Sequence, residues 1–280
     1  MNPKYVWNGY KSHMSCLMRN KFIKYQSLRD NSRFKNIHMG KRCFILGSGH
    51  SIIKQDLTKL HGEIVITQNH FHAHPDIDAI QPQYHVVVPK YQPAEYDPNW
   101  VEWFESMEKK LPSHTRYFMG LNSKELIEEN KLFVNRVSYI LTGLNPMFMK
   151  KAVVDITHAC MNIPTVITQC LTIALYMGFS KIYLLGFDLD QPCRMEDRDK
   201  VRFYGNSPVT NTEAEKHTEE YQASSDVGWF NRWLMWKQFI LLREEAERNG
   251  SEIINLAPGG LLDCYRRRLY EKVINGSHCS

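Results

Sequence analysis

Apolar residues along this chain gather in short runs closed by turn-forming residues, and stretches of helical spacing lie between the runs. Residues 43–46 are one such run, and Ile64-Val65-Ile66 is the next, ending at Thr67-Gln68-Asn69. Runs this short, bounded by Gly, Ser, Asn or Pro, read as strands buried on both faces. Residues 84–88 give a third strand, broken by Pro89, and 115–119 a fourth. Residues 182–185 and 252–256 add two more. Helical segments are predicted at 75–80, 100–111 and 124–131. A further helix starts at Pro164-Thr165, with Ile167, Cys170, Leu171, Ala174 and Leu175 as its apolar stripe and Gly178 as its stop. Residues 229–249 form a long helix, with Phe230, Trp233, Leu234, Ile240 and Leu241 turned inward and Gly250 ending it. Strands alternating with helices predict an α/β fold, a single mostly parallel sheet with flanking helices. Residues 132–141 mix strand and loop signals, which leaves room for a boundary or insertion between 120 and 160.

The first 40 residues read as a basic helical extension, and residues 41–280 as the α/β domain. Lys4, Lys11, Arg19, Lys21, Lys24, Arg29, Arg33, Lys35, Lys41 and Arg42 face a single acid, Asp30, over residues 1–42. Tyr5, Trp7, Tyr10, Leu17, Met18, Phe22, Ile23 and Tyr25 are interleaved with them. Two readings stand: a helix lying on an anionic membrane surface, or a helix packed on the domain with a solvated basic face. With 280 residues and 43% hydrophobic composition, the chain can bury a large core. A net charge of +5 is too mild to argue for nucleic acid. Seven cysteines without regular spacing argue for reduced thiols, and neither a zinc motif nor a membrane-spanning run of about 18 apolar residues stands out. No secretion signal is evident at the N-terminus. These features predict a cytoplasmic protein, free or held peripherally on the inner face of the plasma membrane, and are compatible with a homo-oligomer.

The chemistry concentrates where strands end. Gly47-Ser48-Gly49-His50-Ser51 follows the first strand at once, and the amphipathic stretch after it reads as a helix leading to the second strand. Glycines let backbone N–H groups approach an anion, and a following helix N-terminus adds partial positive charge. The turn therefore reads either as a phosphate cradle or as a tight β–α connection; the full G-x-G-x-x-G spacing is absent, because position 52 is Ile. Asn69, at the carboxyl end of the second strand, can reach what that turn holds. His70, His72 and His74 alternate after it, as a metal site or as a polar loop. Gly186-Phe187-Asp188-Leu189-Asp190 follows the strand at 182–185 and places carboxylates at the same rim. Residues 190–228 are polar, carry both signs of charge and embed Phe203-Tyr204-Gly205-Asn206. So long a segment reads as a lid, bounded at about 189–228, with His217 in a helix predicted at 212–221. Ala257-Pro258-Gly259-Gly260 is a second small-residue turn. Residues 263–274 read as a basic helix, with Arg266, Arg267 and Arg268 as a solvated face or an anion contact.

Three pieces in this order, ILGSGHS…ITQN, TQCLTIALYMGFSKIYLLGFDLDQ and EIINLAPGGLL, resemble the bacterial sialyltransferases of glycosyltransferase family 42. They also resemble that family's 6-hydroxymethylpterin diphosphokinase-like and motility-associated-factor-like relatives. In the sialyltransferases a G-N-G-P-S turn, a C-N-Q strand end, an A-x-x-x-G-x-x-x-I-Y-L-x-G-x-D unit and a C-P-x-S-x-L turn surround the donor. Gly47 to Ser51 falls on the first, Asn69 on the second, Ala174 through Asp188 on the third, and Ala257-Pro258-Gly259 on the fourth. The family's first-turn Asn is Ser48 here, and the arginine and serine before its central helix are unmatched. Counting back from the last strand puts the family's catalytic histidine near Trp233.

The resemblance implies a Rossmann-like, GT-A-like domain with a helical lid. It implies metal-independent, inverting transfer of a 2-keto sugar acid, such as sialic acid, from a CMP-activated donor to a cell-surface saccharide or glycolipid. The donor set would be Gly47, Ser48, Gly49, Ser51, Asn69, Thr165, Thr168, Gly186, Tyr204, Pro258 and Gly259. His217 would take the acceptor proton and Asp188 would be catalytic, His217 on its place in the lid and not on an aligned motif. Trp229, Trp233 and Trp236 would line an acceptor groove. The alternatives are an ATP-dependent pyrophosphokinase with Mg²⁺ at Asp188 and Asp190, or a non-catalytic nucleotide- or glycan-binding protein.

Overall fold

The computed structural model describes residues 3–22, 26–87, 89, 94–162, 165–190, 203 and 225–276. Most of the predicted lid, with Tyr204, His217 and the helix at 212–221, lies outside these residues. In chain order the elements are α1 (Pro3–Phe22), α2 (Gln26–Arg29), β1 (Arg42–Leu46), β2 (Val65–Gln68), α3 (Ile77–Ile80), β3 (Tyr84–Val86) and α4 (Asp97–Lys110). Then come β4 (Arg116–Gly120), α5 (Lys124–Glu129), β5 (Val137–Ile140), β6 (Thr142–Leu144), β7 (Cys160–Met161) and α6 (Val166–Tyr176). Last are β8 (Lys181–Leu185), α7 (Ser225–Arg248), β9 (Glu252–Asn255), β10 (Arg266–Arg267) and α8 (Tyr270–Ile274).

Eight strands form one sheet in the order β10-β9-β8-β1-β2-β3-β4-β5. Each of its pairings is parallel. The strand residues explain why. Cys43 and Ile45 of β1 pack into the core on one face, with α6 and α7; Phe44 and Leu46 pack into the other, with α4 and α8. A strand apolar on both sides needs cover on both faces, which parallel crossovers supply. The expected Rossmann-like α/β sheet with flanking helices is the fold observed. Among the described residues, no helix is long and apolar enough to cross a membrane.

Several local expectations are corrected. The segment after the first turn is not an α-helix but two 3₁₀ turns, His50–Lys54 and Leu57–Leu60. α6 is not amphipathic: all eleven of its residues are buried, because it lies between the sheet and α7. α7 has a different inner face from the one predicted. Leu241 is buried as expected, but Met235, Gln238, Phe239, Leu242 and Ala246 are buried with it, while Trp233 is 50% and Ile240 37% exposed. The helix carries apolar residues on several sides, so periodicity alone does not fix its phase. The basic helix expected at 263–274 is only α8; before it, β10 extends the sheet edge. Residues 142–161 hold an insertion outside the main sheet, the β6–β7 pair.

Candidate functional site

β1 is the switch point of the sheet. The chain leaves β1 toward β2 through β5 on one side, then crosses back to lay β8 on the other. In open α/β sheets, the crevice outside the carboxyl ends of two such strands is where ligands bind. Here the two loops at that crevice are 47–51 after β1 and 186–190 after β8.

The loops are locked together. Gly47 N–H donates to the Leu185 carbonyl and Gly49 N–H to the Gly186 carbonyl, both at 2.8 Å. A Cβ on Gly47 would sit 2.5 Å from the Gly186 oxygen and 2.5 Å from the Phe187 ring; one on Gly49 would sit 2.6 Å from the same oxygen and 2.7 Å from Asp188 Oδ2. Gly186 itself has φ +69°, the left-handed region that glycine tolerates. The glycines thus let the two strand ends touch, and two of the turn's N–H groups are spent on β8.

Asp188 stands at the centre of this contact and is 5% exposed. Its Oδ2 accepts the Ser51 N–H at 2.9 Å. Its Oδ1 and the Ser51 hydroxyl are buried with no hydrogen-bond partner among the described residues. Buried polar atoms are seldom left unsatisfied, which makes this pair at the switch point the candidate place for a ligand group.

The 257–262 turn closes the other side. Leu261 N–H donates to the Asp188 carbonyl at 2.7 Å, and a Cβ on Gly260 would meet Asp188 Cα at 2.6 Å. Arg267 of β10 holds this turn like a fork. Its two terminal nitrogens donate to the carbonyls of Ala257 (3.1 Å), Gly259 (2.6 Å), Gly260 (2.8 Å) and Leu262 (3.2 Å). Pro258 and Gly259 lie exposed on the turn, with open space around Gly259.

Asn69 begins a 3₁₀ turn at the end of β2, with φ +44°, and its carbonyl is 3.1 Å from His72 Nδ1. Thr165 occupies the cap position of α6 without a side-chain capping bond. The Thr168 hydroxyl donates back to the Thr165 carbonyl at 2.8 Å. Ser48 lies in the first turn, and its carbonyl accepts the Phe203 N–H at 3.0 Å.

A cavity of about 550 Å³ opens beside this rim. Thr165 and Leu189 form one wall, Asn145, Pro146 and Asn162 a second, and 228–235 of α7 a third, with Asn231 and Arg232. The size suits a small-molecule site. None of Trp229, Trp233 and Trp236 lines it, so the expected tryptophan groove is not where the cavity is. Sequence reasoning also missed Arg232, Asn145 and Asn162. The Asn145-Pro146 pair was a legible turn signal, but nothing local placed it beside α6 and α7.

His70, His72 and His74 do not converge on a metal; among the described residues no three His, Cys, Asp or Glu side chains do. His72 pairs with Asn69 and, at 3.1 Å, with Ser106 Oγ, while His74 Nδ1 accepts the Asp76 N–H. His70 stacks on Trp103. Behind them His85 is fully buried on β3, 2.8 Å from Thr67 Oγ1. Burial pushes His85 well below the ordinary histidine range and lowers His72 and His74.

Neither a family model nor a curated protein matches the sequence. Solved structures of the sialyltransferase CstII from Campylobacter jejuni are similar to the chain. The complex with cytidine-5'-monophosphate is 12% identical with a TM-score of 0.40, covering 82% of this chain and 85% of that one. The complex with CMP-3FNeuAc is 12% identical with a TM-score of 0.38, covering 81% and 84%. Both likenesses are distant, and neither carries the functional reading.

Proposed function

We propose that the chain is a glycosyltransferase that binds a CMP-activated 2-keto sugar acid across the carboxyl ends of β1 and β8 and passes the sugar to a saccharide or glycolipid acceptor. The observation that supports this most is the meeting of three separate sequence pieces, at Gly47–Ser51, Gly186–Asp188 and Pro258–Gly260, around one buried carboxylate with a free oxygen. In this reading Asp188 Oδ1 accepts a hydrogen bond from a donor hydroxyl. Ser48, Ser51, Asn69, Thr165 and Tyr204 are the neutral donors that would meet the charge developing on the departing phosphate, Tyr204 by its sequence position alone. His217 is the general base, as the side-chain type whose ordinary range lies nearest neutrality. Metal-independence is part of the proposal, on the resemblance alone.

Melting temperature with added nucleotide tests it. CMP without metal should raise the melting temperature, by the equivalent of about 2.7 kcal/mol at a hundredfold excess over Kd. A rise with ATP only when Mg²⁺ is present would point to pyrophosphoryl transfer with the metal at Asp188 and Asp190. Indifference to both would remove the nucleotide site. His217→Ala should keep CMP stabilisation and lose most turnover.

A further inference from the structure

Helix α1 packs on the domain through Gly9 and His13 and leaves an apolar stripe outside. Gly9 and His13 face the β6 region, where Asn145 N–H donates to His13 Nδ1 at 3.0 Å and the His13 ring lies 5.6 Å from Phe148. Trp7, Tyr10, Leu17 and Met18 recur at helical spacing on the outside, each 38–57% exposed. α7 does the same: Trp229 is 64% and Trp233 50% exposed.

Each of these three exposed tryptophans carries a cation. Lys11 lies over Trp7 at 5.3 Å, Arg232 over Trp229 at 6.0 Å and Lys237 over Trp233 at 5.6 Å. The two helices are joined through one short segment. Tyr10 packs edge-on against Phe148, and Lys237 Nζ donates to the neighbouring Met147 carbonyl at 2.8 Å. Residues 3–22 contain four Lys or Arg and no Asp or Glu.

We propose that the outer faces of α1 and the first half of α7 together dock on an anionic lipid surface. Tryptophan is the side chain favoured at the level of lipid headgroups, where its ring is half buried and its N–H wet. Lysine and arginine beside it meet the negative surface, each contributing about 1 kcal/mol near the membrane. Arg232, the cation over Trp229, also lines the cavity, so the face and the cavity share a residue. The docking itself is independent of what the cavity binds.

The test is co-sedimentation of the full chain with phosphatidylcholine vesicles containing or lacking about 30% phosphatidylglycerol. The wild type should bind the anionic vesicles at least about tenfold more tightly than the neutral ones, and added salt should weaken it. The triple variant Trp7→Ala, Trp229→Ala, Trp233→Ala should lose at least about tenfold in binding with its melting temperature kept, because all three rings are exposed. Failure to sediment with anionic vesicles, or equal binding by the triple variant, overturns the proposal. So does a dimer in light scattering that the triple variant abolishes while vesicle binding is absent; the face would then receive a second copy of the chain.

Discussion

Adding one methyl group at Gly47 separates two roles for the first turn. In Gly47→Ala the new Cβ would stand 2.5 Å from the Gly186 carbonyl oxygen and 2.5 Å from the Phe187 ring, both far inside van der Waals contact. The ring is packed in the core and the carbonyl belongs to the chain just past β8, so neither neighbour yields easily. Overpacking costs about 1–3 kcal/mol, and a backbone obstacle puts this site at the upper end, about 3 kcal/mol. At about 2–4 °C per kcal/mol for a chain of this size, the melting temperature should fall by about 6–12 °C without any ligand. Gly259→Ala is the matched control: its Cβ meets open space, so the change should stay within about 0.5 kcal/mol. Scanning calorimetry of both variants, free of nucleotide, reads the difference. A Gly47→Ala protein that melts with the wild type but binds nucleotide weakly would show that the glycine makes room for a ligand, not for a strand end.

Other consequences follow from the same packing. Arg267→Ala should cost about 1–2 kcal/mol by urea denaturation after allowing for its exposure, and Arg267→Lys should recover little, because one ammonium cannot span four carbonyls. Phe239→Ala should cost about 3–5 kcal/mol and Ile240→Ala far less, a contrast that checks the phase of α7. Stability should fall as pH drops below about 6.5. His85, His72 and His74 are held below their unfolded range by burial, so the unfolded chain takes up protons first; each contributes nothing above that pH and a slope of up to about 1.4 kcal/mol per pH unit below it. Urea midpoints at pH 7.5 and 5.5 measure this, and His85→Gln should flatten the dependence; a flat wild-type profile would contradict the buried histidines.

The parts of the fold that follow from local pattern were legible in the chain. β1 and β8 are short apolar runs closed by glycine, and a run buried on both faces announces a parallel sheet by itself. The turns that meet at Asp188 were legible as turns for the same reason. What escaped is set by long-range contact. Nothing near Arg267 says that a two-residue basic strand will lie on the sheet edge, since charged edge strands carry no apolar signal. The phase of α7 could not be read where apolar residues occupy several sides, and some of them are exposed. Asn145, Asn162 and Arg232 come together only because α6, α7 and the β6–β7 insertion pack around one space. The glycines at 47 and 49 were legible as close-approach residues, but their partner is the end of β8.

Hydrogen–deuterium exchange of the full chain with and without CMP decides whether the rim at β1 and β8 is a nucleotide site. Slower exchange with CMP at 47–51, 186–190 and 257–262, and little change at the far end of the sheet, is the predicted result. Unchanged exchange in those three segments under saturating CMP, or protection confined to some other part of the molecule, would contradict it.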